Sequence, residues 1–418
     1  MRHFDYRGGE LHAEAVPLRD IAETVGTPVY VYSRATLERH YRVFSEAFAD
    51  VPSLVAYALK ANSNLAVLRV LAKLGAGADV VSGGELARAR AAGIPGSRIV
   101  FSGVGKTREE MRAGLDAGIR VFNVESREEL RVLSDVAASA DTTAPVAFRV
   151  NPDVAAGGHA KISTGLKTNK FGIAWDTARD AYGEAATLPG IEVVGVDVHI
   201  GSQIADLAPY EAAFRRVGEL IRALRSDGHT IRSFDVGGGL GIPYRDGEEA
   251  PPLPRDYAEM VKRLTAPLDV ELIFEPGRMI AGNAGVLLAE VLYVKETEER
   301  DFLILDAAMN DLIRPALYDA WHGLEPVRKT EARAVYDVVG PVCESGDTFA
   351  KRREMAAVEA GDLVVFHSAG AYGAVQASTY NTRPLVPEVL VDGEKFAVIR
   401  ARPSVEELLE RESVPDWV

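Results

Sequence analysis

The sequence is poor in cysteine and in long apolar runs, and both shortages limit the class of protein. Its 418 residues include 1 cysteine, Cys343, which excludes an internal disulfide framework. The 8 histidines lack the paired spacing of a structural zinc site, and we expect no metal. The opening segment MRHFDYRGGELHAEAV lacks a signal-peptide core, and no stretch approaches the run of about 18 apolar residues that a membrane span needs. We therefore expect a cytoplasmic protein with no membrane partner.

The composition is that of a folded globular protein. Hydrophobic residues make up 47% of the chain and charged residues 26%, without the apolar depletion that is typical of disorder. The formal charge of −14 argues against nucleic acid as the main partner, although a local basic pocket can still bind a small anion. The length favours a barrel-sized domain together with a smaller one.

Short apolar runs alternate with longer amphipathic segments between Leu54 and Glu275. The short runs predict eight strands, at Leu54–Leu59, Asp79–Val81, Ile99–Phe101, Arg120–Asn123, Val146–Val150, Val193–His199, Phe234–Val236 and Glu271–Phe274. Helical periodicity lies between them, for example in EELRVLSDVAA from Glu128 and YEAAFRRVGELIRALR from Tyr210. Eight β/α alternations of this length favour a closed, TIM-like (β/α)8 barrel over an open parallel sheet.

The pattern changes beyond about Gly285, where strand-like runs follow one another without long helices. These runs are VLLAEVLYV, FLILD, ARAVYDVVG, DLVVFH and KFAVIR. They predict a mostly antiparallel β-barrel or sandwich domain, and the early run Val29–Tyr32 is expected to pair with it. We therefore predict a barrel over residues 33–284 and a β domain formed by residues 1–32 together with 285–418.

Polar residues stand where the predicted barrel strands end, which is where parallel barrels carry their chemistry. Lys60 ends the first strand, and it is either a lysine reaching solvent or an amine that forms a Schiff base with a carbonyl compound. The second reading requires a phosphate-binding loop, an anion beside a pyridine nitrogen and a flat group over the ring. The glycines 237–239, Glu275 and His199 can supply these three requirements. Together they favour a cofactor site.

Two glycine-containing segments are candidates for phosphate binding. The segment GGGLG, Gly237–Gly241, is either a tight turn or an anion-binding loop, and its place after the seventh strand favours the loop. The segment GVGKT, Gly103–Thr107, follows a strand as a nucleotide-binding loop does, but the first glycine of that motif would fall on Val100. We therefore do not expect a nucleoside triphosphate as ligand.

Six motifs in order, YALKANSN, HIGSQ, GGGLG, EPGR, CESGD and GAYG, resemble those of the fold type III pyridoxal-phosphate decarboxylases. The resemblance covers nearly the whole chain and implies pyridoxal 5'-phosphate as cofactor. It implies catalytic roles for Lys60, His199, Glu275 and Cys343. The cofactor-binding residues that it implies are Lys60, His199, Ser202, Gly237, Gly238, Gly239, Glu275, Pro276, Gly277, Arg278 and Tyr372.

The same resemblance points to the substrate and to the assembly. Arg278, Arg314 and Tyr318 match residues that bind a distal carboxylate, while Glu344 matches one that holds a distal ammonium; Tyr372 completes the set. From spacing alone, Arg314 and Tyr318 belong to a surface turn, and Cys343 is buried filler. The resemblance instead implies a homodimer with shared active sites, in which the partner subunit contributes the cysteine. The implied reaction converts meso-2,6-diaminopimelate to L-lysine and carbon dioxide.

Three alternatives remain open from the sequence. A related decarboxylase would act on ornithine, arginine, lysine or a carrier-tethered amino acid. An amino-acid racemase would require an arginine in place of Glu275. A non-catalytic homologue would bind the cofactor without turnover. The glycine- and threonine-rich loop Asp153–Asn169 is a candidate cover over the site.

Overall fold

The protein consists of two compact units in a computed structural model that describes residues 2–154, 170–245, 247 and 250–418. One unit comprises Glu38–Pro243 and Glu248–Ile280, and the other comprises Met1–Leu37, Tyr244–Gly247 and Ala281–Val418. Most of the loop predicted to cover the site, residues 155–169, lies outside the described residues. Within the described ranges, no helix has both the length and the hydropathy needed to cross a membrane.

The secondary structure alternates through the first unit and becomes strand-rich towards the C terminus. The strands are β1 Phe4–Arg7, β2 Glu10–Ala13, β3 Val16–Pro17, β4 Val29–Ser33, β5 Ser53–Ala58, β6 Gly77–Val80, β7 Ile99–Phe101, β8 Val121–Val124, β9 Ala144–Asn151, β10 Ile173–Ala174, β11 Ile191–Asp197, β12 Ser233–Asp235, β13 Glu271–Phe274, β14 Gly285–Lys295, β15 Asp301–Leu305, β16 Leu324–Pro326, β17 Arg333–Val339, β18 Thr348–Ala356, β19 Leu363–Phe366, β20 Glu388–Asp392 and β21 Lys395–Arg400. The helices are α1 Leu18–Val25, α2 Arg34–Glu46, α3 Leu65–Lys73, α4 Gly83–Ala91, α5 Arg108–Asp116, α6 Arg127–Ser139, α7 Ala178–Ala185, α8 Ala208–Ser226, α9 Pro254–Thr265, α10 Arg278–Ala281, α11 Arg314–Tyr318 and α12 Val405–Leu409.

The first unit contains a closed parallel barrel. Its strand order is β9-β11-β12-β13-β5-β6-β7-β8, and the pairing of β8 with β9 closes the ring, while the short β10 adds to β9 from outside. The predicted eight strands are confirmed, and each predicted end lies within two residues of the observed one. The helices predicted from Glu128 and Tyr210 are confirmed as α6 and α8.

A cluster of apolar side chains is buried among the barrel strands, and polar caps begin the helices that follow them. Strands β5, β7, β8, β9, β11 and β13 contribute a buried interior cluster of Leu54, Ala56, Val100, Val121, Ala147, Val194 and Ile273. Asn64 accepts a hydrogen bond from the backbone N–H of Ala66 at the start of α3, and Thr107 forms a capping box with Glu110 at the start of α5. Each cap begins the helix that follows a barrel strand. The carboxyl ends of the strands share one face because all eight strands are parallel.

The second unit is built on mostly antiparallel strands. Its main path runs β18-β17-β15-β14-β4-β20-β21, and β19 pairs with both β14 and β16. The pairings β15–β17 and β20–β4 are parallel, whereas β14 is antiparallel to β4, β15 and β19. A buried apolar cluster that includes Leu18, Val31, Leu288, Val365 and Val389 forms its core. The predicted pairing of Val29–Tyr32 with this unit is confirmed by β4, which lies between β14 and β20.

Several strands of the second unit were not predicted. They are β16, β18, β20 and the separate N-terminal sheet β1-β2-β3. Strand β18 contains Lys351, Arg352, Arg353 and Glu354 and lies at the end of the strand order. Charged residues are common on edge strands because they discourage pairing with another chain. That charge conceals the period-2 pattern from which a strand is predicted.

Candidate active site

Lys60 follows the first barrel strand in a short 3-10 turn, Leu59–Ala61. Its Nζ donates a hydrogen bond of 3.1 Å to Oδ2 of Asp79, which lies on the neighbouring strand β6. The Lys60 side chain is 35% exposed, whereas that of Asp79 is fully buried. The other carboxylate oxygen of Asp79 has no hydrogen-bond partner in the described part of the chain. The lysine therefore reaches the open face of the barrel, and its hydrogen bond to the buried Asp79 orients it.

Glu275 follows the last barrel strand, and its side chain is 3% exposed. Its Oε1 accepts hydrogen bonds from Ser102 Oγ at 3.1 Å and from Asn123 Nδ2 at 3.4 Å. Burial, and secondarily the charge of Asp79, raises the pKa of Glu275 to about 7, against the opposing effect of Lys60. Such a carboxylate ionises readily only when a cation is beside it.

Two further acids surround Glu275 inside the barrel. Carboxylate oxygens of Asp197, Asp235 and Glu275 all lie within 4.8 Å of one another. Burial, followed by the charge of Glu275, raises the pKa of both aspartates well above the ordinary value. Asp235 also accepts hydrogen bonds from Asn123 Nδ2 and from the Gly237 N–H. Because charges so close together oppose one another, retained protons explain this cluster without a metal.

His199 lies two residues beyond β11, and its side chain is 14% exposed. Its Nδ1 accepts a hydrogen bond of 3.1 Å from the backbone N–H of Gly238. Burial, followed by the charges of Arg149 and Lys60, holds the pKa of His199 well below its ordinary value. The 3.9 Å distance from His199 Nδ1 to Glu275 Oε2 is therefore not an ion pair. The imidazole is a neutral, flat group of fixed orientation.

The glycine run after β12 is shaped by close packing. Gly237 and Gly239 have φ of 67° and 100°, which favours glycine. A Cβ on Gly238 would lie 2.3 Å from the carbonyl oxygen of Glu275, and one on Gly239 would lie 2.4 Å from that of Gly201. Packing alone thus explains the glycines. The N–H groups of Gly237 and Gly238 already bind Asp235 and His199.

A second polar group lies beside the glycines. Arg278 is buried and donates a hydrogen bond of 3.1 Å from Nη2 to Ser202 Oγ. The carbonyl of Pro276 accepts a hydrogen bond from Ala58, and a Cβ on Gly277 would lie 2.9 Å from that of Ala61. The EPGR segment therefore packs against the turn that carries Lys60. Lys60, His199, Ser202, the glycine run and residues 275–278 all follow barrel strands at one face.

The position of Lys106 gives no support to a nucleotide-binding loop at GVGKT. Lys106 is buried, and its Nζ donates to the carbonyl oxygens of Gly103 and Asn123 and to Glu129 Oε1 at 2.7–2.8 Å. The amine therefore has three acceptors within the barrel wall. Such a lysine supports the loop before α5, and its ion pair with Glu129 holds it inside the protein.

Arg314 begins helix α11 in the second unit and is buried. Its Nη1 lies 2.8 Å from Nε2 of His322. The centre of its guanidinium group lies 4.9 Å from the centroid of the Tyr244 ring. The surface turn expected from spacing alone is therefore wrong for Arg314. Tyr318 ends the same helix and is partly exposed.

Cys343 and Glu344 form a separate, exposed group in the second unit. The backbone N–H of Cys343 donates to Asn381 Oδ1 at 3.1 Å, and the hydrogen bond with Glu344 raises the pKa of Tyr380. Cys343 is exposed, so the alternative of buried filler is wrong. Tyr372 has φ of 57°, which is rare for a bulky residue and typical of functional loops.

Several residues of the barrel site were missed by sequence reasoning. They are Asp79, Ser102, Asn123, Glu125, Arg149, Asp197 and Asp235. Arg149 forms a buried ion pair with Glu125, 3.0 Å from Nη1 to Oε1. The available signal was polarity within apolar strands, because a buried acid or amide in a barrel strand must face a polar interior.

Comparisons with known proteins agree on one family. A sequence model described as "Pyridoxal-dependent decarboxylase, pyridoxal binding domain" matches residues 34–282. The chain belongs to the pyridoxal-dependent decarboxylase family. Diaminopimelate decarboxylase of Pseudomonas fluorescens is 56% identical over 99% of both chains, and that of Vibrio cholerae is 52% identical over the same shares.

Solved structures of this decarboxylase family are also similar. Diaminopimelate decarboxylase from m. jannaschii, in complex with L-lysine, has a TM-score of 0.95 and 38% identity over 99% of both chains. The Helicobacter pylori enzyme, also with L-lysine, has a TM-score of 0.91 and 42% identity, covering 94% of this chain and 98% of that one. The predicted family and fold are therefore confirmed.

The barrel residues fit the cofactor of this family. The site offers an amine at the open face, a buried carboxylate whose ionisation needs a neighbouring cation, and a neutral flat imidazole. Ser202 and Arg278, which are hydrogen-bonded to each other, follow barrel strands at the same face. Lys60, Glu275 and His199 can thus hold the carbonyl, ring nitrogen and ring face of pyridoxal 5'-phosphate, and the Ser202–Arg278 pair can hold its phosphate.

Proposed function

We propose that this chain is a carbon–carbon lyase that decarboxylates meso-2,6-diaminopimelate to L-lysine and carbon dioxide, with pyridoxal 5'-phosphate as cofactor. The observation that carries the reaction type is the convergence of Lys60, Glu275 and His199 at one face of the barrel. The observation that favours the substrate is the 56% identity to a diaminopimelate decarboxylase over 99% of both chains.

The cofactor roles follow from the state of each side chain. Lys60 would bind the cofactor carbonyl, and Asp79 would keep the amine in place. His199 would cover the ring as a neutral group, since burial lowers its pKa. Glu275 would bind the protonated ring nitrogen, whose positive charge offsets the burial that raises the carboxyl pKa.

Other residues would bind the phosphate at the open face. The residues proposed to line the phosphate site are Ser202, the glycines 237–239, Pro276, Gly277, Arg278 and Tyr372; Pro276 has no N–H and would only contact the phosphate. The present bonds of the Gly237 and Gly238 N–H groups leave Ser202 and Arg278 as the better-supported ligands. Their charge and hydroxyl match an anion.

Bound pyridoxal 5'-phosphate supplies an electron sink for the pair left behind when carbon dioxide departs. The bond between the D-centre carbon and its carboxylate breaks, and a proton then adds to the same carbon. We propose Cys343 as a candidate donor of that proton. Arg278, Arg314, Tyr318 and Tyr372 would bind the L-end carboxylate, and Glu344 would bind the L-end ammonium. Fixing the L end in this way presents only the D end for reaction.

We further propose a cytoplasmic homodimer whose subunits share active sites. The barrel of residues 33–284 would bind the cofactor, and residues 1–32 with 285–418 would carry substrate and dimer contacts. Exposure of Cys343 in the single chain supports a role at a subunit boundary.

Mixing inactive variants tests the shared site. We expect Lys60→Ala and Cys343→Ala subunits, dissociated and reassociated at equal concentration, to regain about a quarter of wild-type activity. Half of the dimers are then mixed, and each mixed dimer contains one intact site. A mixture as inactive as its parents would contradict the shared site.

The substrate proposal is tested by measuring carbon dioxide release from meso-diaminopimelate, L-ornithine, L-arginine and L-lysine in parallel. We expect release from the first alone, and a loss of about 100-fold in kcat/KM for Arg314→Ala, because a buried charge-assisted bond is removed. Carbon dioxide release from ornithine or lysine would contradict the proposed substrate but would still agree with the proposed reaction type. Bound cofactor without release would favour a non-catalytic homologue.

A further inference from the structure

We propose that His322 is a positioning residue that orients Arg314 towards the distal carboxylate of the substrate. The inference rests on the proposed function of Arg314 and concerns a residue that the sequence did not single out. His322 and Arg314 are both buried in the second unit. The structure places Nη1 of the arginine 2.8 Å from Nε2 of the histidine.

The proton of His322 is located by its two neighbours. An arginine is always a donor, so Nε2 of His322 must accept the hydrogen bond. The other ring nitrogen, Nδ1, lies 2.8 Å from the carbonyl oxygen of His367, which can only accept. A neutral imidazole with its hydrogen on Nδ1 satisfies both contacts at once, and no other state of the ring does.

Two further residues, Tyr244 and Arg353, hold the histidine and the guanidinium group in place. The Tyr244 ring meets the His322 ring edge-on, at 5.5 Å between centroids and 83° between planes, and it lies 4.9 Å from the Arg314 guanidinium carbon. Arg353 donates to the carbonyl oxygen of His322 at 3.0 Å. His322 is therefore held by the ring contact, by the hydrogen bond of Nδ1 and by the hydrogen bond to its backbone carbonyl.

The chemistry of these contacts suits carboxylate recognition. His322 is uncharged in this tautomer, so it orients the guanidinium without cancelling its charge. An aspartate in the place of His322 would orient Arg314 equally well but would weaken its attraction for a substrate carboxylate. A fixed guanidinium also loses less conformational freedom when the carboxylate binds.

The test compares His322→Asn with His322→Gln in the holoenzyme. Asparagine keeps a donor near the Nδ1 position but does not reach Arg314, whereas glutamine places an acceptor near the Nε2 position. We expect the asparagine variant to raise KM for meso-diaminopimelate about tenfold with kcat within about threefold, and glutamine to restore most of the loss. In an Arg314→Ala background, the asparagine change should have no further effect.

A binding measurement separates positioning from a general structural role. L-lysine contains the distal carboxylate, and cadaverine is the same molecule without it. Calorimetry should show that His322→Asn weakens L-lysine binding about tenfold and leaves cadaverine binding unchanged within about twofold. His12→Asn is the matched control, because the Nδ1 of His12 also contacts a carbonyl oxygen, that of Glu10, in the N-terminal sheet.

Three outcomes would overturn the inference. Equal loss of L-lysine and cadaverine binding would make His322 merely structural. Unchanged KM for His322→Asn, with a large loss for Arg314→Ala, would mean that Arg314 is oriented without it. No loss for Arg314→Ala would reject the proposed substrate site itself. If His322→Asn unfolds, Tyr244→Leu, which removes the ring beside the guanidinium, provides the test instead. This variant must weaken the binding of L-lysine more than that of cadaverine; otherwise the inference fails.

Discussion

Replacing Glu275 with glutamine should stabilise the cofactor-free protein, and the gain should grow as the pH rises. The side chain is buried, and it accepts hydrogen bonds from Ser102 and Asn123 through one oxygen, Oε1. The carbonyl oxygen of glutamine can accept the same two bonds. The substitution therefore removes the buried negative charge and retains most of the packing.

The magnitude follows from the pKa of the carboxyl group, which rises from 4.5 to about 7, mainly through burial. Below pH 4.5 the group is protonated in both the folded and the unfolded chain, so its ionisation does not lower the free energy of unfolding. Between these values the folded protein retains a proton that the unfolded chain releases, so stability falls as pH increases. At about 1.4 kcal/mol per tenfold change in ionisation constant, the full cost above pH 7 is roughly 3 kcal/mol.

Urea unfolding of the cofactor-free protein at pH 5 and pH 8 measures this effect. We expect Glu275→Gln to exceed the wild type in free energy of unfolding by roughly 3 kcal/mol at pH 8 and by about 1 kcal/mol or less at pH 5. Glu412→Gln, at an exposed position near the C terminus, is the control. An equal difference at both pH values would refute the argument that burial holds a proton on Glu275. The holoenzyme variant should lose activity, because the ring nitrogen loses its anion.

Two further substitutions test the cofactor site. Lys60→Ala should abolish decarboxylation, and borohydride should no longer attach the cofactor to the chain, as measured by mass spectrometry. Lys395→Ala, at an exposed position, is the control and should retain the adduct. An adduct in Lys60→Ala would show that this lysine does not bind the cofactor. Gly238→Ala should weaken cofactor binding at least about tenfold in an absorbance titration, because its Cβ would lie 2.3 Å from a backbone oxygen. Gly183→Ala, where a Cβ meets nothing within 4 Å, is the control. Equal cofactor affinities of the Gly238→Ala and Gly183→Ala variants would contradict the packing argument.

The barrel was predictable because its signals are local. Each strand is a short apolar run, each helix has its own period, and polar residues such as Lys60 and His199 stand just after a strand. Sequence order alone then places those residues at one face, since all strands of a parallel barrel end there. The same reasoning found Glu275 but not its neighbours.

The remaining site residues depend on contacts between distant parts of the chain. Ser102 and Glu275 are separated by 173 positions, and no local period connects them. Asp79, Asn123 and Asp235 lie inside strands, where their polarity marks them as unusual but does not show that they gather around Glu275. His322 stands in a short segment between α11 and β16, so its contact with Arg314 became visible only in the folded chain.

The most direct test of the proposed reaction is the product analysis of meso- and LL-diaminopimelate incubated separately with the holoenzyme. From the meso isomer we expect carbon dioxide and lysine in equal amounts, with the lysine entirely of the L form, and from the LL isomer we expect neither product. This result follows if residues such as Arg314 hold the L end and present the D end. Carbon dioxide from the LL isomer, or D-lysine from the meso isomer, would contradict the account.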